Sequence, residues 1–182
     1  MLNKRGRSLE RRLDEVVAQL KIHNDKLSAR TSYMSSRARS LFELSLRAKE
    51  EKDEERAMLY AKELSELKRV LYTMLRSQAS LEGIILHLET VRDLNSVRKS
   101  VKPIHEVLSR VQEDVKGAVP EVAHELLKTH LILDDIMIEI GVSSDSSYSY
   151  TAVDHDAQEI LNKASEIAAQ RMKKIMPNVS NE

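Results

Sequence analysis

The sequence contains no cysteine and no tryptophan, one phenylalanine, four glycines and three prolines among its 182 residues. Without cysteine there is no disulfide framework, no thiolate metal site and no cysteine nucleophile, a usage that suits a cytoplasmic location. So few turn formers and aromatics, set beside 32% charged residues, leave too little material for a sheet-rich fold. The chain reads as almost entirely helical. Long apolar runs are also missing. None approaches the roughly 20 residues that span a bilayer, and the N-terminus lacks the apolar core of a signal peptide, so any membrane contact is expected to be peripheral.

Motifs that carry chemistry are equally scarce. The six histidines are scattered. In "HELLKTH", His124 to His130, the spacing is wrong for two zinc ligands on one helix face. Glu121 and His124 lie three apart, as in half of a di-iron helix-bundle site, but no second such pair completes it. No glycine-rich phosphate loop follows a strand, and the carboxylates lie among basic residues at helical spacing, as ion-paired surface does. These absences predict no active site, no cofactor and no metal, and therefore not an enzyme.

What is present is charge, unevenly placed. The net charge is zero, yet residues 1–49 hold 12 Lys and Arg against 5 Asp and Glu, while residues 50–140 hold 13 against 18. A basic first third can pair with the acidic middle of its own chain or face a polyanion outside it. The plainest reading of such a run is a solvated helix face.

The apolar residues form narrow seams. Leu13, Leu20, Leu27, Met34, Leu41 and Ala48 recur every seven positions, with Leu9, Val16 and Leu44 between them and His23, Arg30 and Arg37 interrupting. Tyr60, Leu67, Met74, Leu81 and Leu88 make a second row beside Ala57, Leu64, Leu71 and Ile85, interrupted by Gln78. Two seams of matching length predict an antiparallel hairpin of long helices, over about residues 8–94. Its turn is expected within "KEEKDEERA", Lys49 to Ala57, with Asp53 capping the second helix.

Breaks farther along divide the rest. Asn95 and Ser96 mark a helix end and restart, Gly117 another end, and Pro120 the first turn of the helix after it. Shorter helices are thus expected over about 96–117 and 120–140. The serine-rich, non-periodic stretch 141–153 reads as a flexible linker. Residues 154–176 regain helical spacing through Ile160, Leu161, Ala164, Ile167, Ala168, Met172 and Ile175 before Pro177. The expected fold is all-α and elongated: a helical core over 1–140, a tether and a C-terminal amphipathic helix.

This layout, with its basic first helix and acidic later ones, resembles that of ESCRT-III proteins. The segment "LRSQASLEGIILHLETVRDL", Leu75 to Leu94, is similar to the archaeal CdvB group of cell-division proteins, and "VPEVAHELLKTHLILDDIMIE", Val119 to Glu139, resembles that group's fourth helix. The likeness covers roughly residues 38–140. With nothing past Gly141 long enough for a winged-helix domain, it points to the group's shorter paralogues.

The resemblance implies a subunit that polymerises with itself and with paralogous ESCRT-III subunits on an anionic membrane. It would act at the inner face of the cell membrane, at the division site, in constriction and scission. An MIT-domain AAA+ ATPase would remodel the polymer, gripping a C-terminal helical motif that falls here on Ala168, Arg171, Met172 and Ile175. Ser165 stands where that motif has an acid and Ala168 where it has a leucine. Polymerisation by opening would need a pliant helix and a marginal junction, roles open to Gly83 and to Asn95 and Ser96. Gly83 equally suits close helix packing.

In "MLNKRGRSLERR", the bases Lys4, Arg5, Arg7, Arg11 and Arg12 flank Met1, Leu2 and Leu9. Bases near an anionic surface are worth about 1 kcal/mol each, so this cluster is the expected membrane contact. A second reading is a coiled-coil adaptor that does not bind membrane, its basic arm paired with an acidic one. Nucleic acid is disfavoured as a partner, because the basic third offers only Tyr33 and Phe42 for stacking.

Overall fold

The computed structural model describes residues 2–91, 94–142 and 154–176, the first five of them by backbone alone. The described residues form five α-helices and no strand: α1 (Leu2–Glu50), α2 (Glu54–Thr90), α3 (Leu94–Val115), α4 (Pro120–Glu139) and α5 (His155–Ile175). The fold is all-α and ESCRT-III-like.

The long helices α1 and α2 form an antiparallel hairpin, and α1 alone extends about 73 Å at 1.5 Å per residue. The chain reverses over residues 51–53, with Lys52 in the left-handed region at φ 60°. That conformation costs a non-glycine residue about 1–2 kcal/mol. Asp53 offsets it as the N-cap of α2: its side chain accepts from the Arg56 N–H at 3.0 Å. Glu54 and Glu55 then place negative charge against the positive end of the helix dipole. The reversal is made by a cap, with no glycine in it.

Along α1 the row Leu13, Leu20, Leu27, Met34, Leu41 and Ala48 is buried at its seven-residue spacing. Two polar interruptions of the seams, Gln78 and His23, find partners inside. Gln78 accepts a hydrogen bond from the buried Thr31 hydroxyl at 2.9 Å. His23, 2% exposed, meets the Thr129 hydroxyl of α4 at 3.1 Å.

The other helices close around the hairpin's base. α4 packs on α1, α3 on α2 and α4, and α5 on α2 and α3. The break before α3 falls earlier than Asn95 and Ser96, which lie in the first turn of α3. The last residue described before the break, Val91, is extended and donates back to the Leu88 carbonyl at 3.3 Å. Asn and Ser are well placed in an initiating turn, because their side chains compete for backbone groups in helix interiors. α3 runs through Pro103, whose missing N–H withdraws the partner of the Lys99 carbonyl.

Pro120 opens α4, where a missing N–H costs nothing. α4 ends in a Schellman arrangement: Gly141 sits at φ 70°, Val142 N–H reaches the Met137 carbonyl at 2.9 Å and Gly141 N–H the Ile138 carbonyl at 3.1 Å. Residues 143–153, most of the expected linker, lie outside the described residues.

Candidate functional site: a tail helix seated on the hairpin

α5 begins with Asp154 as N-cap, its carboxylate accepting from the Asp156 N–H at 3.0 Å. The Asp154 N–H in turn donates to Glu106 of α3 at 3.0 Å, which ties the start of the helix to the body. Ala157, Ala164 and Ala168 are all buried. Spaced seven and four apart, they share one helix face, and their small side chains let α5 approach closely.

The receiving surface on α2 is also small. A Cβ at Gly83 would lie 3.2 Å from Cγ2 of Ile160, closer than a comfortable van der Waals contact, so the missing side chain makes room for α5. α2 is an unbroken helix through this point. Gly83 therefore serves close packing in this conformation. At other points the Tyr72 hydroxyl donates to the Ser165 carbonyl at 3.5 Å, and the Arg171 guanidinium grips both carboxylate oxygens of Glu82 at 3.1 and 2.7 Å.

The four residues that the resemblance assigns to ATPase recognition are thus engaged within the subunit. Ala168 is fully buried, Arg171 is held by Glu82, and the partly buried Met172 and Ile175 pack against the main core. A groove elsewhere could take this face only after α5 leaves its seat.

The basic end of the hairpin divides differently from the expectation. Met1 lies outside the described residues, and so do the side chains of Leu2, Lys4 and Arg5. Arg7 and Arg11 are exposed. Leu9 is not on that surface: it is 7% exposed and belongs to the main core, because its place in the α1 seam turns it inward. Arg12 is committed to α4, 2.6 Å from Glu139 and 3.7 Å from Asp135.

The same charge matching continues down α1. Lys21 pairs with Glu89 at 2.7 Å, Lys26 with Glu125 at 2.6 Å, and Arg37 with Glu63. Exposed pairs of this kind add little stability and serve better to hold register. Lys26 holds the Glu125 carboxyl below the usual range by direct hydrogen bonding. Burial holds the neighbouring His23 imidazole below its ordinary value, with Glu125 opposing and Lys26 adding to the depression.

Sequence reasoning missed Glu82 as the partner of Arg171 and Thr129 as that of His23. The alanine spacing of α5 beside a small-residue run in α2 was the available signal for the first. Nothing local signals the second, since the two residues are 106 positions apart.

The chain matches no protein-family model and no solved structure. Among curated proteins, Cell division protein B1 of Sulfolobus acidocaldarius is 32% identical over 166 residues, covering 90% of this chain and 78% of that protein. Cell division protein B of the same organism is 28% identical over 176 residues, covering 97% and 67%.

Proposed function

Because the chain belongs to the archaeal CdvB family of ESCRT-III-like cell-division proteins, we propose that it is a filament-forming, membrane-binding division subunit whose closed form is latched by α5. It is a structural subunit and not an enzyme. The observation that carries the proposal is the seat of α5. One helix covers part of α2 and α3 while burying its own binding face, so a single displacement exposes a subunit surface and a handle together.

The handle would engage an MIT-domain AAA+ ATPase by helix-in-groove contact, Met172 and Ile175 entering an apolar groove and Arg171 meeting a carboxylate there in place of Glu82. Ala168 fills such a groove less than leucine would, by two to three methylenes at about 0.8 kcal/mol each, so one tail binds weakly. Many tails along one filament restore a useful grip. Energy for remodelling comes from the ATPase. No helix among the described residues is long and apolar enough to cross a membrane, and membrane contact is assigned to Lys4, Arg5, Arg7 and Arg11, with Met1 and Leu2 inserting shallowly. Arg12 and Leu9 are left out of that set because α4 and the core hold them.

The pairing of α1 with the acidic helices favours a second reading, an adaptor whose basic arm is satisfied internally. Sedimentation with anionic vesicles separates the two. Reversing the four bases should weaken binding by at least about a thousandfold, the loss expected from removing four charges alone at roughly 1 kcal/mol each, with Lys21, Lys26 and Arg37 left in place. Vesicle binding unchanged by the reversal would reject the membrane site, and no binding by the natural chain would favour the adaptor. In the same experiment, chain ending at Ser144 should form filaments at least as readily as the full chain. A strictly monomeric truncation beside a polymerising full chain would reject the latch.

A further inference from the structure

We propose that His105, His130 and Asp134 form a binding site for a divalent transition-metal ion, Zn²⁺ being the best match, that ties α3 to α4. The site is separate from the α5 seat and from the basic end of α1, and it does not depend on either assignment.

The placement comes from two helices. His130 and Asp134 are four apart on α4, so they rise from the same face one turn apart. His105 reaches them from α3, and one ligand atom from each of the three lies within 4.8 Å of the others. His105 Nε2 is 2.7 Å from Asp134 Oδ1. The two imidazole rings stand 3.8 Å apart, centroid to centroid, at 63° to one another.

His130 points to a ligand. It is 9% exposed, and its Nδ1 has no hydrogen-bond partner. Buried polar nitrogens are nearly always satisfied, and an imidazole with an unpartnered nitrogen, grouped with a second imidazole and a carboxylate, offers a donor set for a cation. Two imidazoles and one carboxylate match the donor set of three-ligand zinc sites, the fourth position being left to water.

The side chains must open for an ion to enter: two imidazoles on one tetrahedral zinc have ring centroids about 5 Å apart, so the rings, now at 3.8 Å, must part by roughly 1 Å. At the ligand distances of zinc, tetrahedral neighbours stand about 3.3 Å apart. The His105 and Asp134 atoms must therefore separate by roughly 0.6 Å, exchanging their hydrogen bond for metal bonds. Both side chains have room, at 24% and 33% exposure. The proton that His105 Nε2 donates to Asp134 is released to solvent or moves to Nδ1 through water as the metal bond forms. Three protein ligands with an open position make an exchangeable site, and the bound ion favours every conformation in which α3 and α4 pack as they do here.

The test uses the full chain, stripped of metal with a chelator and titrated with Zn²⁺ by calorimetry, and with Co²⁺ by visible absorption. One equivalent should bind with micromolar or tighter affinity, Co²⁺ should show the intense bands of a four-coordinate site, and Zn²⁺ at a hundred times its Kd should raise the melting temperature by about 5–10 °C. Asp134→Asn and His105→Gln, both at partly exposed positions, should each weaken binding at least tenfold while keeping helical content.

The exposed group His155, Asp156 and Glu159 on α5 is the internal control, since its ligand atoms also lie within 4.8 Å of one another. His155→Ala should leave the affinity unchanged. Binding weaker than millimolar in the natural chain, or affinity lost in His155→Ala and kept in the other two variants, would overturn the site.

Discussion

The two halves of the hairpin share one heptad pattern and end in different surroundings. Toward the turn, α2 buries Ala57, Leu64 and Leu71 at seven-residue spacing, while Met58 and Leu59 stand 74% and 61% exposed. The small cluster there holds Ala38, Leu41 and Leu64, with Phe42, Tyr60, Leu67 and Met176 at its edge. Toward the base, α2 buries Met74, Leu75, Ser77, Gln78, Ala79, Ser80 and Leu81 with a single gap, because α1, α3 and α5 all pack on it. A narrow seam suffices for two helices. To admit more, this chain makes the positions beside the seam small, at Ser77, Ala79, Ser80 and Gly83, instead of making them large and apolar.

The largest effect should come from deleting core volume in the two halves. Leu81, with no exposed surface, lies in a main core drawn from all five helices, and Leu64 lies in the small cluster near the turn. Leu81→Ala is expected to cost about 4 kcal/mol and Leu64→Ala about 2, since the thinner region can collapse onto the missing side chain. Equilibrium denaturation of the full chain measures both. Equal costs would erase the distinction between base and tip.

Next in size is the seat of α5. Gly83→Leu fills the space that Ile160 occupies and should release α5, and the change favours α2 itself by about 1 kcal/mol of helix propensity. Hydrogen exchange should then show residues 155–175 losing protection while residues 54–70 keep theirs. Protection retained in α5 would mean that the contact at Gly83 does not hold the helix in place.

A smaller effect follows from pH. Burial depresses the His23 pKa in the folded chain, so the unfolded chain binds more protons below the ordinary histidine value of about 6.5. The stability that His23 contributes is present above that value and is lost as pH falls through the lowered one. Glu125 acts in the same direction at lower pH, its folded pKa also being depressed. Lys26 and Thr129 are the other polar groups against His23. The melting temperature should therefore fall between pH 7 and 5, with the α1 and α4 contact opening before the tip, and His23→Gln should make the fall shallower. A slope unchanged in that variant would place the titrating group elsewhere.

The fold class was legible in what the composition leaves out, and the ends of two helices in single residues. Asp53 and Pro120 act through their own neighbours, so sequence can show them. Asn95 and Ser96 misled by a few residues because the same chemistry that ends one helix begins another. Leu9 was read as part of a basic, membrane-facing cluster although its seam position turns it into the core. Gly83 carried two readings that only the position of Ile160 separates, 77 residues away in sequence. The His105, His130 and Asp134 group was invisible for the same reason: no periodicity of α4 reveals which residue of α3 stands opposite.

The smallest effect compares an ion pair from each half. Arg171 meets Glu82 through two guanidinium nitrogens at 3.1 and 2.7 Å, with side chains 35% and 39% exposed. Arg37 meets Glu63 through one, with side chains 53% and 39% exposed. Bidentate geometry and partial shielding favour the first, but solvent still screens it, so its coupling should be near 1 kcal/mol and no more. A double-mutant cycle with Glu82→Gln and Arg171→Gln measures that value, and the matching cycle with Glu63→Gln and Arg37→Gln should give no measurable coupling. The charge swap Glu82→Arg with Arg171→Glu should recover less than half of the loss, because a carboxylate on α5 no longer presents a planar fork to its partner in the same orientation. If the tip pair couples as strongly as the base pair, the extra helices packed around the base do not shield its charges, and the difference between the halves is one of packing alone.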